Sequence, residues 1–172
     1  MLYWVLSYQK GERNLMKVRL VIADAADLIR LGMEAVLKRQ AEFIVEASVS
    51  LLTDLWVVAE TKPQVIVVDE RLDPEIDILQ IVEDVLQVSA KTQVLVSGYL
   101  RDGLLIRDLF AAGCRGYLYK GDELQESLIC AIETVMRDRL YLSPTANAEY
   151  LTAMQTPQRD WQLDQEARGV LR

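Results

Sequence analysis

The stretch Pro63-Gln64-Val65-Ile66-Val67-Val68-Asp69 constrains the fold of this chain more than any other. Four consecutive β-branched residues favour extended backbone. With no polar residue among them, the strand has no face to offer to water, as is usual where helices cover both faces of a parallel sheet. The run ends abruptly in Asp69, whose carboxylate costs free energy at the end of a buried strand unless a cation, a donor or solvent reaches it. In open parallel sheets the carboxyl ends of the strands are also where ligands bind. A lone aspartate at such a place equally well starts a turn or caps a helix, so the other strand ends decide.

The same pattern recurs along the chain. Val18–Ala23 is an apolar strand ending at Asp24, and Ile29, Gly32, Met33, Val36 and Leu37 follow at helical spacing. Phe43–Ala47 reads as a second strand, followed by a helix marked by Leu51, Leu55, Val58 and Ala59. Lys62-Pro63 closes that helix and introduces the Asp69 strand. Ile78, Ile81, Val82, Val85 and Leu86 trace a third helical stripe, Gln93–Val96 a fourth strand ending in Ser97-Gly98, and Leu104–Ala112 a fourth helix. Gly116–Tyr119 is a short strand ending at Lys120, and a helix over Glu123 to Arg139 buries Leu124, Leu128, Ala131, Ile132 and Val135. Strand–helix units with short links predict an α/β fold, a flavodoxin-like doubly wound parallel sheet of five (βα) units. Its expected strand order is 2-1-3-4-5, with a crevice where strands one and three part.

Composition removes several alternatives. The net charge of −7 opposes binding of nucleic-acid backbones by this chain alone. The chain has no histidine, which excludes histidine bases and histidine metal sites. Cys114 and Cys130 have the spacing of neither a disulfide framework nor a zinc site, and two lone thiols suit a reducing cytoplasm. Met1–Leu6 is apolar but too short to span a membrane, and residues 1–15 are expected to be an extension ahead of a domain over 16–140.

The expected crevice brings Asp24 and Asp69 side by side, with Ser97 and Lys120 closing its other side. Two adjacent carboxylates repel unless a cation lies between them, and Mg²⁺ suits two oxygen ligands because it retains several waters. An aspartate can also act as a nucleophile towards phosphorus. The metal and an ammonium then offset charge on the phosphoryl oxygens while a hydroxyl donates to one of them. Asp69, Mg²⁺, Lys120 and Ser97 have the chemistry for those roles. Lys120 as a solvated turn lysine, Ser97 as a strand-end cap and Tyr117 as a plain core aromatic are the simpler alternatives.

The segments Val21-Ile22-Ala23-Asp24, Val65-Ile66-Val67-Val68-Asp69, Val94-Leu95-Val96-Ser97-Gly98 and Ala112-Gly113-Cys114-Arg115-Gly116-Tyr117-Leu118-Tyr119-Lys120 together resemble the receiver domain of two-component response regulators. The resemblance covers roughly Lys17 to Arg139. Gly116–Lys120 and Leu140-Tyr141-Leu142-Ser143-Pro144 look most like the NarL/LuxR branch, whose members are transcription factors. It implies that Asp69 accepts a phosphoryl group from a sensor histidine kinase, and that Lys120 binds the phosphoryl group. It further implies that Asp24, Asp69 and the backbone carbonyl of Arg71 hold Mg²⁺, and that Ser97 and Tyr117 form a switch pair. The expected output surface is either the face around the fourth helix, the fifth strand and the fifth helix, or a homodimer built on the first and fifth helices.

The sequence departs from the family at two places. Ala25 stands where a second acid normally supplies a direct metal ligand, and the loop Leu72–Asp77 lacks the glycine often found there. The nearby Asp27 reads as a helix N-cap. These departures imply a degenerate receiver, phosphorylated weakly or switched by other means. A phosphorylation-independent interaction or dimerisation module is therefore the alternative function; an autonomous phosphatase with an aspartyl nucleophile is disfavoured, because the sequence shows neither a separate cap domain nor a clear residue to activate water. Residues 141–162 read as a linker with one short helix over Thr145–Met154, and 163–172 resemble the opening of a LuxR-type helix–turn–helix domain. DNA binding is expected only with a complete domain of that kind, and no membrane partner is expected.

Overall fold

The computed structural model describes residues 17–155. The apolar run Met1–Leu6, the polar stretch after Gln155 and the helix–turn–helix-like segment 163–172 lie outside the described residues. Five strands, β1 (Val18–Ala23), β2 (Phe43–Val49), β3 (Val65–Asp69), β4 (Gln93–Gly98) and β5 (Gly116–Tyr119), alternate with α1 (Asp27–Leu37), α2 (Leu52–Ala59), α3 (Ile78–Val88), α4 (Gly103–Ala111) and α5 (Leu124–Val135). β6 (Tyr141–Leu142) and α6 (Pro144–Gln155) follow. All pairings are parallel and the order is β2-β1-β3-β4-β5-β6. The flavodoxin-like expectation holds for the first five strands, and β6 extends the sheet beside β5. The segment read as linker thus begins with a sixth strand and the expected helix.

β3 lies at the centre, and every one of its residues is buried. Successive side chains along a strand point to opposite faces, and the core accordingly divides in two. Val65 and Val67 join Leu20, Ile22, Leu95 and Leu118 beneath Met33 and Leu37 of α1 and Leu128, Ile132 and Val135 of α5. Ile66 and Val68 join Val21, Ala23, Val94, Val96 and Tyr117 beneath α2, α3, α4 and Ala146 of α6. Each fully buried Val or Ile contributes about 1.5–3 kcal/mol by leaving water, which outweighs any preference Asp69 has for an exposed turn.

Local signals set the helix ends. Asp77 caps α3 by accepting from Leu79 N (2.9 Å), and Asp102 caps α4 by accepting from Leu104 N (2.9 Å) and Leu105 N (3.1 Å). Asp27 does not cap α1, as the sequence suggested. Ala26 occupies that position without a side-chain cap, and Asp27 is the first helical residue, ion-paired with Arg30 (2.5 Å). The cap is displaced because Asp24, two residues before Ala26, already accepts from Ala26 N (2.8 Å). At α6, Pro144 takes the first helical position, where its missing N–H costs nothing. Among the described residues no helix is long and apolar enough to cross a membrane.

Cys114 is buried after α4, and burial pushes its thiol up to about 11, whereas Cys130 on α5 is exposed. Only the thiolate reacts readily with a disulfide reagent. The native protein should therefore label quickly at Cys130, with Cys114 reacting only after denaturation. Equal labelling of both thiols under native conditions would contradict this packing.

Candidate functional site: a buried lysine between two aspartates

By strand alternation, Asp24, Asp69, Ser97 and Lys120 all belong to the face covered by α1 and α5. Each follows Ile22, Val67, Leu95 or Leu118 by two residues on the same face. β1 and β3 are neighbours, β3 and β4 are neighbours, and Asp69 is the register partner of Ser97. The sheet therefore delivers the four groups to one crevice at the carboxyl ends of its strands. Lys120 is placed by its own backbone, whose N–H donates to Gly98 O (2.7 Å).

The ammonium of Lys120 lies between the two carboxylates. Its Nζ is 2.7 Å from Asp24 Oδ2 and 2.8 Å from Asp69 Oδ1. Asp24 and Ser97 are fully enclosed, and Asp69 and Lys120 are each 8% exposed. Burial alone would push the Lys120 ammonium down, but the two carboxylates outweigh it and hold its pKa above the ordinary value of 10.5. The Tyr99 ring lies over the same ammonium, with its centroid 5.8 Å from Nζ.

Two polar atoms in the crevice remain unsatisfied. Asp24 Oδ2 is close to Lys120 but out of line for a hydrogen bond, and Ser97 Oγ has no partner. Buried polar atoms of this kind are usually partnered, so each calls for an explanation. One cation between two anions leaves a net charge of about −1 by formal count. Asp24 and Asp69 supply the oxygen donors a hard cation takes, in the number that suffices for Mg²⁺. Among the described residues no cluster of three or more His, Cys, Asp or Glu side chains adds to them. The donor set thus fits Mg²⁺ with two carboxylates.

The remaining expected residues are placed differently. Ala25 is exposed beside the crevice and Asp27 is paired with Arg30, so neither adds a carboxylate to it. Arg71 stands in the turn that Leu72 N closes on Asp69 O (3.2 Å), with its side chain exposed, so only its backbone can serve the crevice. Tyr117 is buried on the opposite face of the sheet from Ser97, in the core beneath α2, α3, α4 and α6. Its hydroxyl donates to Glu70 Oε2 (2.5 Å). The sequence pattern did not single out Glu70 or Tyr99. Alternation around Asp69 carried a signal for Glu70, since a residue following a fully buried strand end enters the other core.

Removing one member of a buried ion pair costs about 3 kcal/mol, because the remaining charges lose their counter-ion. Lys120→Met is predicted to lower unfolding free energy at neutral pH by that order. In the parent, a raised lysine pKa gives stability that is complete below 10.5 and lost as pH rises through the folded-state value. Urea titrations of both proteins across neutral and alkaline pH measure the difference. A Lys120→Met protein as stable as the parent would contradict the bridge.

No family model matches the chain. Among curated relatives, the uncharacterized transcriptional regulatory protein YxjL of Bacillus subtilis is 29% identical over 122 residues, covering 70% of this chain and 55% of YxjL. The transcriptional regulatory protein LnrK of the same organism is 23% identical over 154 residues, covering 89% of this chain and 66% of LnrK. The chain spans between half and two thirds of the length of these relatives. Among solved structures, a LuxR-family two-component response regulator from Aurantimonas sp. SI85-9A1 superposes with a TM-score of 0.75 at 20% identity, over 81% of this chain and 99% of that one. The signal receiver domain of NarL from Mycobacterium tuberculosis gives 0.65 at 23% identity, over 72% and 98%. RcsB, in a structure of two dimers bound to two parallel DNAs, gives 0.70 at 12% identity over 78% and 68%. This chain has the fold of a response-regulator receiver domain.

Proposed function

We propose that the chain is the receiver part of a transcription-regulating response regulator and accepts a phosphoryl group on Asp69 from a sensor histidine kinase. The observation that carries this reading is the bridge of Lys120 between two buried aspartates in the crevice. With Oδ1 of Asp69 facing Lys120, Oδ2 is the nucleophile. A P–O bond forms as the P–N bond to the donor imidazole breaks, and the imidazole leaves with the bonding electron pair and takes up a proton. Lys120 stays beside the acyl phosphate and offsets charge on its oxygens, while the unpartnered Ser97 hydroxyl donates to one of them. Asp24, Asp69 and the carbonyl of Arg71 would hold Mg²⁺, which lowers repulsion between the incoming phosphoryl group and the carboxylates. This is signalling by self-catalysed phosphoryl transfer rather than turnover of a substrate.

By analogy with the RcsB dimers bound to DNA, a homodimer that acts on DNA would be the output if a complete helix–turn–helix domain accompanies the receiver. Histidine kinase and receiver would meet in the cytoplasm, where unpaired thiols such as Cys114 and Cys130 persist. Nothing in the charge of this chain favours DNA contact through the receiver itself.

Incubation with acetyl phosphate and Mg²⁺, followed by intact mass spectrometry, tests the proposal. The parent should gain one phosphoryl group, Asp69→Ala should gain none, and Lys120→Ala should react about a hundredfold more slowly, the usual loss on removing one transition-state donor. An unmodified parent, or an adduct that persists in Asp69→Ala, would overturn it.

A further inference from the structure

The face of the sheet opposite the crevice holds a second polar constellation that the phosphoryl chemistry does not use. Glu70 follows Asp69 directly and is only 7% exposed. Its Oε1 accepts from Tyr99 N (2.6 Å) and Leu100 N (3.1 Å), and its Oε2 accepts from the Tyr117 hydroxyl (2.5 Å). Leu100 O lies 3.1 Å from the same hydroxyl. Three donors on one buried carboxylate make an anchored anion, since bonds to a charged acceptor are the strong ones. Burial, and then the neighbouring Glu70 charge, push the Tyr117 phenol far above its ordinary value, so it remains a donor.

The backbone makes room for this carboxylate. A Cβ on Gly98 would lie 2.0 Å from Glu70 Cδ, so no other residue at 98 leaves Glu70 where it is. The chain held by Glu70, residues 99–102, leads into α4. Arg101 pairs with Glu149 of α6 (2.6 Å), and a Cβ on Gly103 would lie 2.3 Å from Glu149 O. Farther along, Phe110 of α4 meets Tyr150 of α6 edge to face, with centroids 5.7 Å apart. From the strand side, Tyr117 O accepts from Ser143 N (3.1 Å), immediately before α6. Glu70 therefore grips both supports of α6, the loop ahead of α4 and the strand β5.

We infer that Glu70 is a positioning residue that ties Tyr117 and the β4–α4 loop to the end of β3, and through them sets how α6 seats on α4. The chain segment that leaves the receiver fold is thus connected to the residue next to Asp69 by a single side chain. The inference deepens the phosphoacceptor reading and rests on it for its input signal, but the connection itself is present without a phosphoryl group.

Hydrogen exchange on the full chain, with no phosphoryl donor, tests it. Glu70→Ala should speed exchange by about tenfold or more in residues 99–105 and 144–155, the loss expected from removing charged hydrogen bonds, while β1 and β3 keep parental rates. Glu70→Gln, which still accepts from the loop amides and can donate to Tyr117, should restore α6 to within about threefold of the parent. Should Glu70→Ala not fold, Tyr117→Phe carries the comparison, with selective loosening of both segments expected. Parental exchange in α6, or equal loosening of every segment, would overturn the inference. Acetyl phosphate labelling of the parent scores Asp69 separately, so an absent adduct overturns the phosphoacceptor reading without touching this result.

Discussion

The constraint on which the site depends is the alternation of side chains along strands buried on both faces. A strand with helices above and below has no solvent face for polar residues, so they are confined to its ends. At the ends of β1, β3, β4 and β5 this sorts them strictly. Asp24, Asp69, Ser97 and Lys120 fall on the α1–α5 side, whereas Glu70 and Tyr117 fall on the other. A shift of one residue in β3 would exchange Asp69 with Glu70 and place the wrong carboxylate beside Lys120. Such a shift is costly because it would take Asp69 away from Lys120 and Glu70 away from Tyr117 and the amides of Tyr99 and Leu100, leaving both carboxylates buried without their partners.

The two sides then behave differently. In the crevice one ammonium meets two carboxylates, leaving Asp24 Oδ2 and Ser97 Oγ without hydrogen bonds. Such a site is held together yet can take another charged group. On the far side Glu70 has its acceptors filled by two amides and a phenol, and Gly98 leaves no spare volume. That side is a fastening. Under the proposed function, the unmet polarity on one side would take the phosphoryl charge and the fixed geometry on the other would report it.

Much of this was legible in the sequence because it rests on residue type and period. The apolar runs at Val18–Ala23, Val65–Val68 and Gln93–Val96 gave the strands, and the polar residue after each gave the crevice. Asp27 was misjudged as a cap because the competing acceptor, Asp24, is chosen by the path of the chain out of β1 and not by propensity. β6 was missed because two residues carry no period. It exists because Tyr141 N finds Arg115 O (3.0 Å) at the open edge of β5. Glu70 is less legible because an acid beside an acid reads as a turn; alternation points it to the other core, but its partners Tyr99, Leu100 and Tyr117 are set by long-range contacts.

The central claim is that four strand ends form one pocket made to receive a phosphoryl group on Asp69. A crystal structure grown with Mg²⁺ and beryllofluoride tests this most directly. The account predicts beryllofluoride bonded to Asp69, with Lys120 Nζ and Ser97 Oγ within hydrogen-bond distance of its fluorines and the metal on Asp24. Beryllofluoride absent at saturating concentration, or bound with Lys120 still bridging Asp24 and Asp69 and Ser97 turned away, would contradict it.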